Sequence, residues 1–176
     1  MPSRRAGLTL VELCVTLAVV AIVASQAVPN LQQARLHQRL RALAEALRTD
    51  LQDARALAIR HGRPVRVFFG TAAGGSCYVV HDGAAADCRC GDAAGAHCLS
   101  GAAPLRYVWL PAAARVELDA NRAEIAIRPG LGTVTPTLTV ALRSAAGERV
   151  DTVVGIAGRI RSCTPDAGTR WLPACA

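Results

Sequence analysis

The chain has 176 residues and a formal net charge of +7, and all 20 of its basic residues are arginine. Hydrophobic residues make up 52% but aromatics only 3%, so any core has to be built mainly from Val, Leu, Ile and Ala. With an N-terminal apolar run set aside, about 140 residues remain, enough to bury a core and fold as one domain. That excludes a chain too small or too polar to hold itself together.

The apolar run lies in RRAGLTLVELCVTLAVVAIVASQAVP, Arg4 to Pro29. Leu8 to Val28 is almost wholly apolar and, as a helix, about 30 Å long, the thickness of a bilayer core. Arg4 and Arg5 precede it, so the positive-inside rule places the short tail in the cytoplasm and the bulk outside. ASQA at Ala24–Ala27 is only a weak cleavage signal for a secretory peptide. Neither that reading nor a plain anchor accounts for Glu12, because a lone carboxylate in hydrocarbon is costly.

The sequence RRAG followed by LTLVEL resembles the leader of type IV pilins and pseudopilins. The resemblance implies residues 1–7 as a leader that prepilin peptidase cuts between Gly7 and Leu8, methylating the new N-terminus at Leu8. Glu12 then becomes the fifth mature residue, where the family keeps a Glu, and Pro29 the twenty-second, where many members keep a Pro. Leu8 departs from the usual Phe. On this resemblance Glu12 pairs with the amine of a neighbouring subunit during filament assembly, since two opposite charges lower each other's cost in a dry environment. Residues 8–29 would be the transmembrane and assembly helix, kinked at Pro29.

From Leu31 the pattern turns amphipathic. Leu36, Leu40, Leu43, Leu47, Leu51, Ala54 and Ala58 recur at steps of three and four, which predicts one apolar helical face over residues 30–62. Arg41, Arg48 and Arg55, spaced by seven, fall on another face that reads as solvated. Gly62 and Pro64 stop the helix. A first strand is predicted at Val65–Phe69. An insert from Gly70 to Pro104 follows, glycine-rich, with a short strand at Tyr78–His81 and otherwise an irregular loop. Further β-like runs fall at Tyr107–Leu110, Arg115–Leu118, Glu124–Ile127, Thr137–Leu142 and Val150–Gly155, with Arg159–Ser162 as a last short one. The sum is an α+β fold: a long N-terminal transmembrane-plus-amphipathic helix packed on an antiparallel sheet, residues 63–176 forming the β domain.

Three later stretches carry a second resemblance: LRTDLQDARALAIRHGRPVRV, RPGLGTVTPTLTVAL and VVGIAGRIRSC. They are similar to the GspH/FimT group of minor pilins and pseudopilins. The shared features are Ala54, Arg55, Ala58 and Ile59 at the helix end, Gly130 or Gly132 at a strand entry, and the closing Gly158-Arg159-Ile160-Arg161. The group implies two roles: a FimT-like minor type IV pilin, some of which are implicated in binding double-stranded DNA for natural transformation, or a GspH-like minor pseudopilin of type II secretion. Either implies a single-pass inner-membrane protein with a periplasmic domain, later built into a pilus or pseudopilus beside other subunits. The suggested DNA contacts are Arg159 and Arg161, which point to one side if they share a strand, with Arg143, Arg149 and Arg170 nearby. Arginine forks suit phosphate, and with Trp171 the one aromatic nearby, sequence-independent, salt-sensitive backbone binding is expected. The competing readings are surface ion pairs with Glu148, Asp151 or Asp166, or a subunit contact.

Cys14 lies in the apolar run. Cys77, Cys88, Cys90, Cys98, Cys163 and Cys175 form an even set, which points to disulfides in an oxidising compartment. Cys163–Cys175 is expected to close the tail, with further pairing inside the insert. Zinc is the weaker reading, since Cys88-x-Cys90 is not the usual spacing. No catalytic constellation stands out. His81 beside Asp82 has no nucleophile in a recognisable setting, Glu117 and Asp119 read as a solvated strand edge, and GLGTVTP lacks the helix of a dinucleotide loop. Neither an enzyme nor a cofactor is expected.

Overall fold

The computed structural model of the protein describes residues 9–72, 74–99, 101–165 and 171–175. One helix, α1, runs from Leu10 to His61, and its helical backbone continues through Pro29. It is long and apolar enough, by length and composition, to cross a membrane. The chain divides into two units, residues 1–35 and Leu36–Ala176. In the first, the large apolar residues Leu10, Val11, Leu13, Val15, Leu17, Val19, Val20, Ile22 and Val23 are all exposed, as expected of a surface meant for lipid or for other subunits.

The second unit begins with the amphipathic part of α1. Leu40, Ala44, Leu47, Leu51, Ala54 and Ala58 are each 1% exposed or less, and their steps of four and three place them on one stripe. The predicted stripe is nearly this one, except that Leu36 and Leu43 are half-buried and Ala44 takes an inward place. Gly62 ends the helix with φ +61°, the left-handed position after the last turn where a side chain would be strained.

Eleven strands follow among the described residues: β1 Val65–Ala72, β2 Gly75–His81, β3 Cys88–Asp92, β4 Gly95–Cys98, β5 Pro104–Pro111, β6 Val116–Ala120, β7 Glu124–Ile127, β8 Val134–Thr135, β9 Leu138–Ser144, β10 Arg149–Val154 and β11 Ile160–Cys163. They form a five-stranded sheet, β5-β2-β1-β7-β8, a four-stranded sheet, β11-β10-β9-β6, and the small β3-β4 ribbon. All pairings between these strands are antiparallel. Val65, Val67 and Phe69 of β1 alternate inward and join the helical stripe, with Val116, Leu118, Val140, Leu142, Val150 and Val154 closing the core from the second sheet. A buried hydrogen bond ties the sheets together, Leu118 N–H donating to Ser76 Oγ at 3.0 Å. Asp50 bolts the helix to the first sheet, accepting from Tyr78 Oη at 2.6 Å and from Arg106 Nε at 3.1 Å. Burial pushes the Tyr78 hydroxyl well above its ordinary pKa, and the bond to Asp50 adds to the shift.

The insert corrects the sequence reading. It is not an irregular loop: β3 and β4 form a ribbon, and β2 begins at Gly75. Cys88 and Cys98 are cross-strand partners joined by a disulfide, with Cα atoms 4.1 Å apart, and a second bond joins Cys90 to Cys77 on β2. The ribbon covers the outer face of the first sheet, where Cys77, Val79 and Cys88 are buried with Phe68, Tyr107 and Trp109 packed around them. Strand β2 is therefore buried on both faces, which explains why burial is continuous from Ser76 to His81 and why Cys77–Val80 is apolar without alternation. The third disulfide, Cys163–Cys175, draws the tail back, and Thr164 N–H donates to Pro173 O.

Leu51→Ala in the middle of the helical stripe should lower the stability of the detergent-solubilised chain by about 2–5 kcal/mol. The exposed Gln52→Ala beside it should change it by no more than about 0.5 kcal/mol. Denaturant melts of both variants against the parent check this; equal losses would mean that the stripe does not carry the packing.

Candidate functional site

Gly7 and Leu8, the expected cleavage and methylation positions, lie outside the described residues. Thr9 opens α1: its Oγ1 accepts the Glu12 amide at 3.3 Å and its carbonyl the Leu13 amide at 3.1 Å. Thr9-x-x-Glu12 has the spacing of a capping box, so Glu12 sits where a carboxylate also favours a helix N-terminus. Glu12 and Cys14 are exposed on the helix.

The five candidate arginines separate. Arg170 lies outside the described residues, as does Asp166. Arg149 is not a free contact: Nε and Nη2 grip Asp151 at 2.7 and 2.9 Å, a bidentate pair on one strand face. Arg143 pairs across strands with Glu117 and Arg149 and reaches Asp119 at 3.8 Å. These three carboxylates turn the outer face of β9, β10 and β6 into a mixed-charge lattice rather than a basic patch. Arg159 and Arg161 are exposed, and neither contacts a carboxylate among the described residues. The expected Glu148 and Asp151 partners are taken, Glu148 by His37 Nδ1 at 2.9 Å and Asp151 by Arg149. Only Arg161 stands on β11; Arg159 precedes the strand, in the turn that its carbonyl closes by accepting the Gly155 amide. Trp171 is not beside them. It packs on α1, edge-on to His37, with the Arg41 guanidinium 5.2 Å from its ring centre.

The cysteine and histidine groups offer no catalytic arrangement. All four insert sulfurs are consumed by disulfides. His81 is fully buried with its Nε2 3.3 Å from Glu124 Oε1, too poorly aligned for a hydrogen bond. Burial pushes its pKa below the ordinary histidine value, with Glu124 pulling the other way.

A residue whose role the sequence pattern misplaced organises the arginine corner. Arg55 is not on a solvated face. Its Nε donates to Gly132 O at 3.1 Å, and its Nη2 donates to Leu131 O at 3.1 Å and Ala157 O at 3.4 Å. One side chain thus ties the helix end to two loops distant in sequence. Both loops come so close that only glycine fits. A Cβ on Gly132, at φ +64°, would meet Arg55 Nε at 2.6 Å, and one on Gly158, at φ +73°, would strike Gly132 O. The three sequence features noted separately, at Arg55, Gly132 and Gly158, are one clamp. Arg159 emerges from it into a cleft of about 330 Å³ lined also by Gln52, Ile59 and Ile160. Leu131 and Ile156, on the clamped loops, are 81% and 67% exposed.

Arg55→Ala should therefore loosen both loops and cost about 1–3 kcal/mol, since it strips partners from carbonyls at a crowded contact. Hydrogen exchange should rise at residues 131–132 and 156–158 more than in the β9–β10 hairpin. Unchanged exchange there would refute the clamp.

Comparison with known proteins fits this geometry. A family model described as type II transport protein GspH matches residues 43–158, from the buried helical stripe to the clamp glycine. Two crystal structures of the type IV minor pilin FimU from Pseudomonas aeruginosa (strain PAO1) share the fold. The first, in space group P21, has a TM-score of 0.53 at 20% identity, covering 71% of this chain and 88% of that one. The second, in P65, has 0.51 at 18% identity, covering 69% and 90%. No curated protein sequence gives a significant match. With two thirds of its length matched, the chain belongs to the GspH family of minor pilins and pseudopilins, structural proteins that associate with other pilin subunits.

Proposed function

We propose that this chain is a FimT-like minor subunit of a type IV pilus that also holds double-stranded DNA by its phosphate backbone. In this reading prepilin peptidase releases it between Gly7 and Leu8 and methylates Leu8. The helix holds it in the inner membrane with the β domain in the periplasm, and Glu12 meets the N-terminal amine of a neighbouring subunit on assembly, with Pro29 at the end of the assembly segment. The observation that carries the DNA contact is the contrast among the arginines. Asp151 grips Arg149 and Asp119 lies 3.8 Å from the exposed Arg143, whereas Arg159 and Arg161 stand exposed with no carboxylate contact among the described residues, Arg159 directly after the turn that Arg55 fixes. A guanidinium held on a rigid turn loses less freedom on meeting a phosphate than one on a mobile loop. The family match, described as a type II transport protein, favours a second reading: a pseudopilin in which the same corner meets another subunit.

Two measurements test this. Glu12→Val should leave the protein in the membrane and at least tenfold depleted from sheared filaments; equal incorporation would remove Glu12 from assembly. For DNA, the full chain in detergent is titrated with a random-sequence duplex across a salt series, parent against Arg159→Ala/Arg161→Ala. The double variant should bind at least tenfold more weakly at low salt. Its log–log salt slope should fall by about 2, roughly 0.9 for each lost phosphate contact. Absence of binding by the parent would leave the secretion reading in place.

A further inference from the structure

The two sheets are joined at β2 and β6 but part at one end, leaving a cleft of about 540 Å³, within the ordinary range for ligand sites of roughly 300–1,000 Å³. It is walled by Gly75, Leu110, Val116, Ser144 and Arg115, with the cross-strand neighbours Glu117 and Arg143 offsetting each other's charge at one side. None of the described functions uses it.

Its chemistry is specific. Leu118 N–H points away from β9, because it donates to Ser76 on the other sheet. Main-chain groups alternate in direction along a strand, so Val116, two residues earlier, also turns its N–H and C=O away from β9 and towards the cleft. The Arg115 carbonyl, one residue earlier still, points the opposite way and accepts the Ala145 amide at 2.9 Å. The cleft thus holds the outward-facing main chain of Val116 at the edge of the sheet. Beside it is Ser144, the cross-strand partner of Val116, 7% exposed, with a buried hydroxyl that has no hydrogen-bond partner among the described residues. A buried hydroxyl without a partner costs stability unless something else completes it. At the mouth stands Arg115, held in the left-handed region at φ 57° by its amide bond to Ala112 O. Its guanidinium is exposed and contacts no carboxylate among the described residues, unlike that of Arg143.

An outward-facing main chain at a sheet edge, an orphan hydroxyl, an apolar wall and one free cation together select a short extended peptide with a carboxylate. We propose that the cleft captures such a segment. Its main chain pairs with Val116, an aliphatic side chain lies on Leu110, and its carboxylate takes Arg115 and the Ser144 hydroxyl. The carboxylate has two sources, a peptide C-terminus or an acidic side chain. The site is independent of the arginine corner and of the DNA reading.

The test uses the full isotope-labelled chain in detergent with three acetylated probes: Thr-Val-Thr-Val with a free C-terminus, the same peptide amidated, and amidated Thr-Val-Thr-Glu. At least one carboxylate probe should bind tenfold or more above the amidated one and shift the Val116 amide resonance; which one does so names the source. Arg115→Gly removes the charge and suits the left-handed backbone, so the fold is kept; it should abolish the preference. Ser144→Ala should weaken binding several-fold. Equal binding of all three probes, no shift at Val116, or acetate binding as tightly as the peptide would overturn the proposal.

Discussion

The architecture depends on how close a helix can come to a sheet. The buried stripe of α1 mixes leucine at 40, 47 and 51 with alanine at 44, 54 and 58, and the small residues let the helix end settle against the sheet. Close approach there is what brings Arg55, the neighbour of Ala54, within reach of main-chain carbonyls from two loops. A bulkier residue at 54 or 58 would lift the helix and leave Arg55 short of its partners. Packing and polar contact are therefore one arrangement: the apolar stripe sets the distance and the guanidinium uses it.

The electrostatics follow a similar division. A chain with 20 arginines and 13 acids carries a surplus of cations, but the folded surface does not spread it evenly. The outer face of the second sheet interleaves Arg143 and Arg149 with Glu117, Asp119 and Asp151, so its field is local and largely self-cancelling. Arg161 stands on the same face one strand over, opposite Val153, without a carboxylate contact among the described residues, and Arg159 precedes that strand. Net charge alone would not have separated the two pairs of arginines, because the separation is one of neighbours and not of composition.

Much of this was legible in the sequence, for physical reasons that also mark where legibility stops. The helical stripe was readable because a period of 3.6 is imposed by burial on one side, and strands β1, β7, β9 and β10 because half-buried strands alternate. The β3–β4 ribbon was not: its strands read CRCGD and GAHC, with no repeating apolar face, and two disulfides order them instead. Strand β8 has only two residues, too few for any period. The alternation argument that put Arg159 and Arg161 on one side applied equally to Arg149 and Asp151, and there it would have found the ion pair. For Arg159 it failed, since that residue precedes the strand. The role of Arg55 was out of reach because its partners lie 76 to 102 residues away. The family match ends at Gly158, so the similarity that identifies the chain covers the clamp and stops just short of the two arginines it presents.

The three disulfides span only 13, 10 and 12 residues, and none of them touches α1 or joins one large sheet to the other. One closes the ribbon on itself, one fastens it over the outer face of the first sheet, and one fastens the tail. The main core, from the helical stripe to β10, is held without a covalent cross-link. Reduction of these bonds would therefore free the outer layer and the end of the domain, and leave the packing of helix on sheet in place.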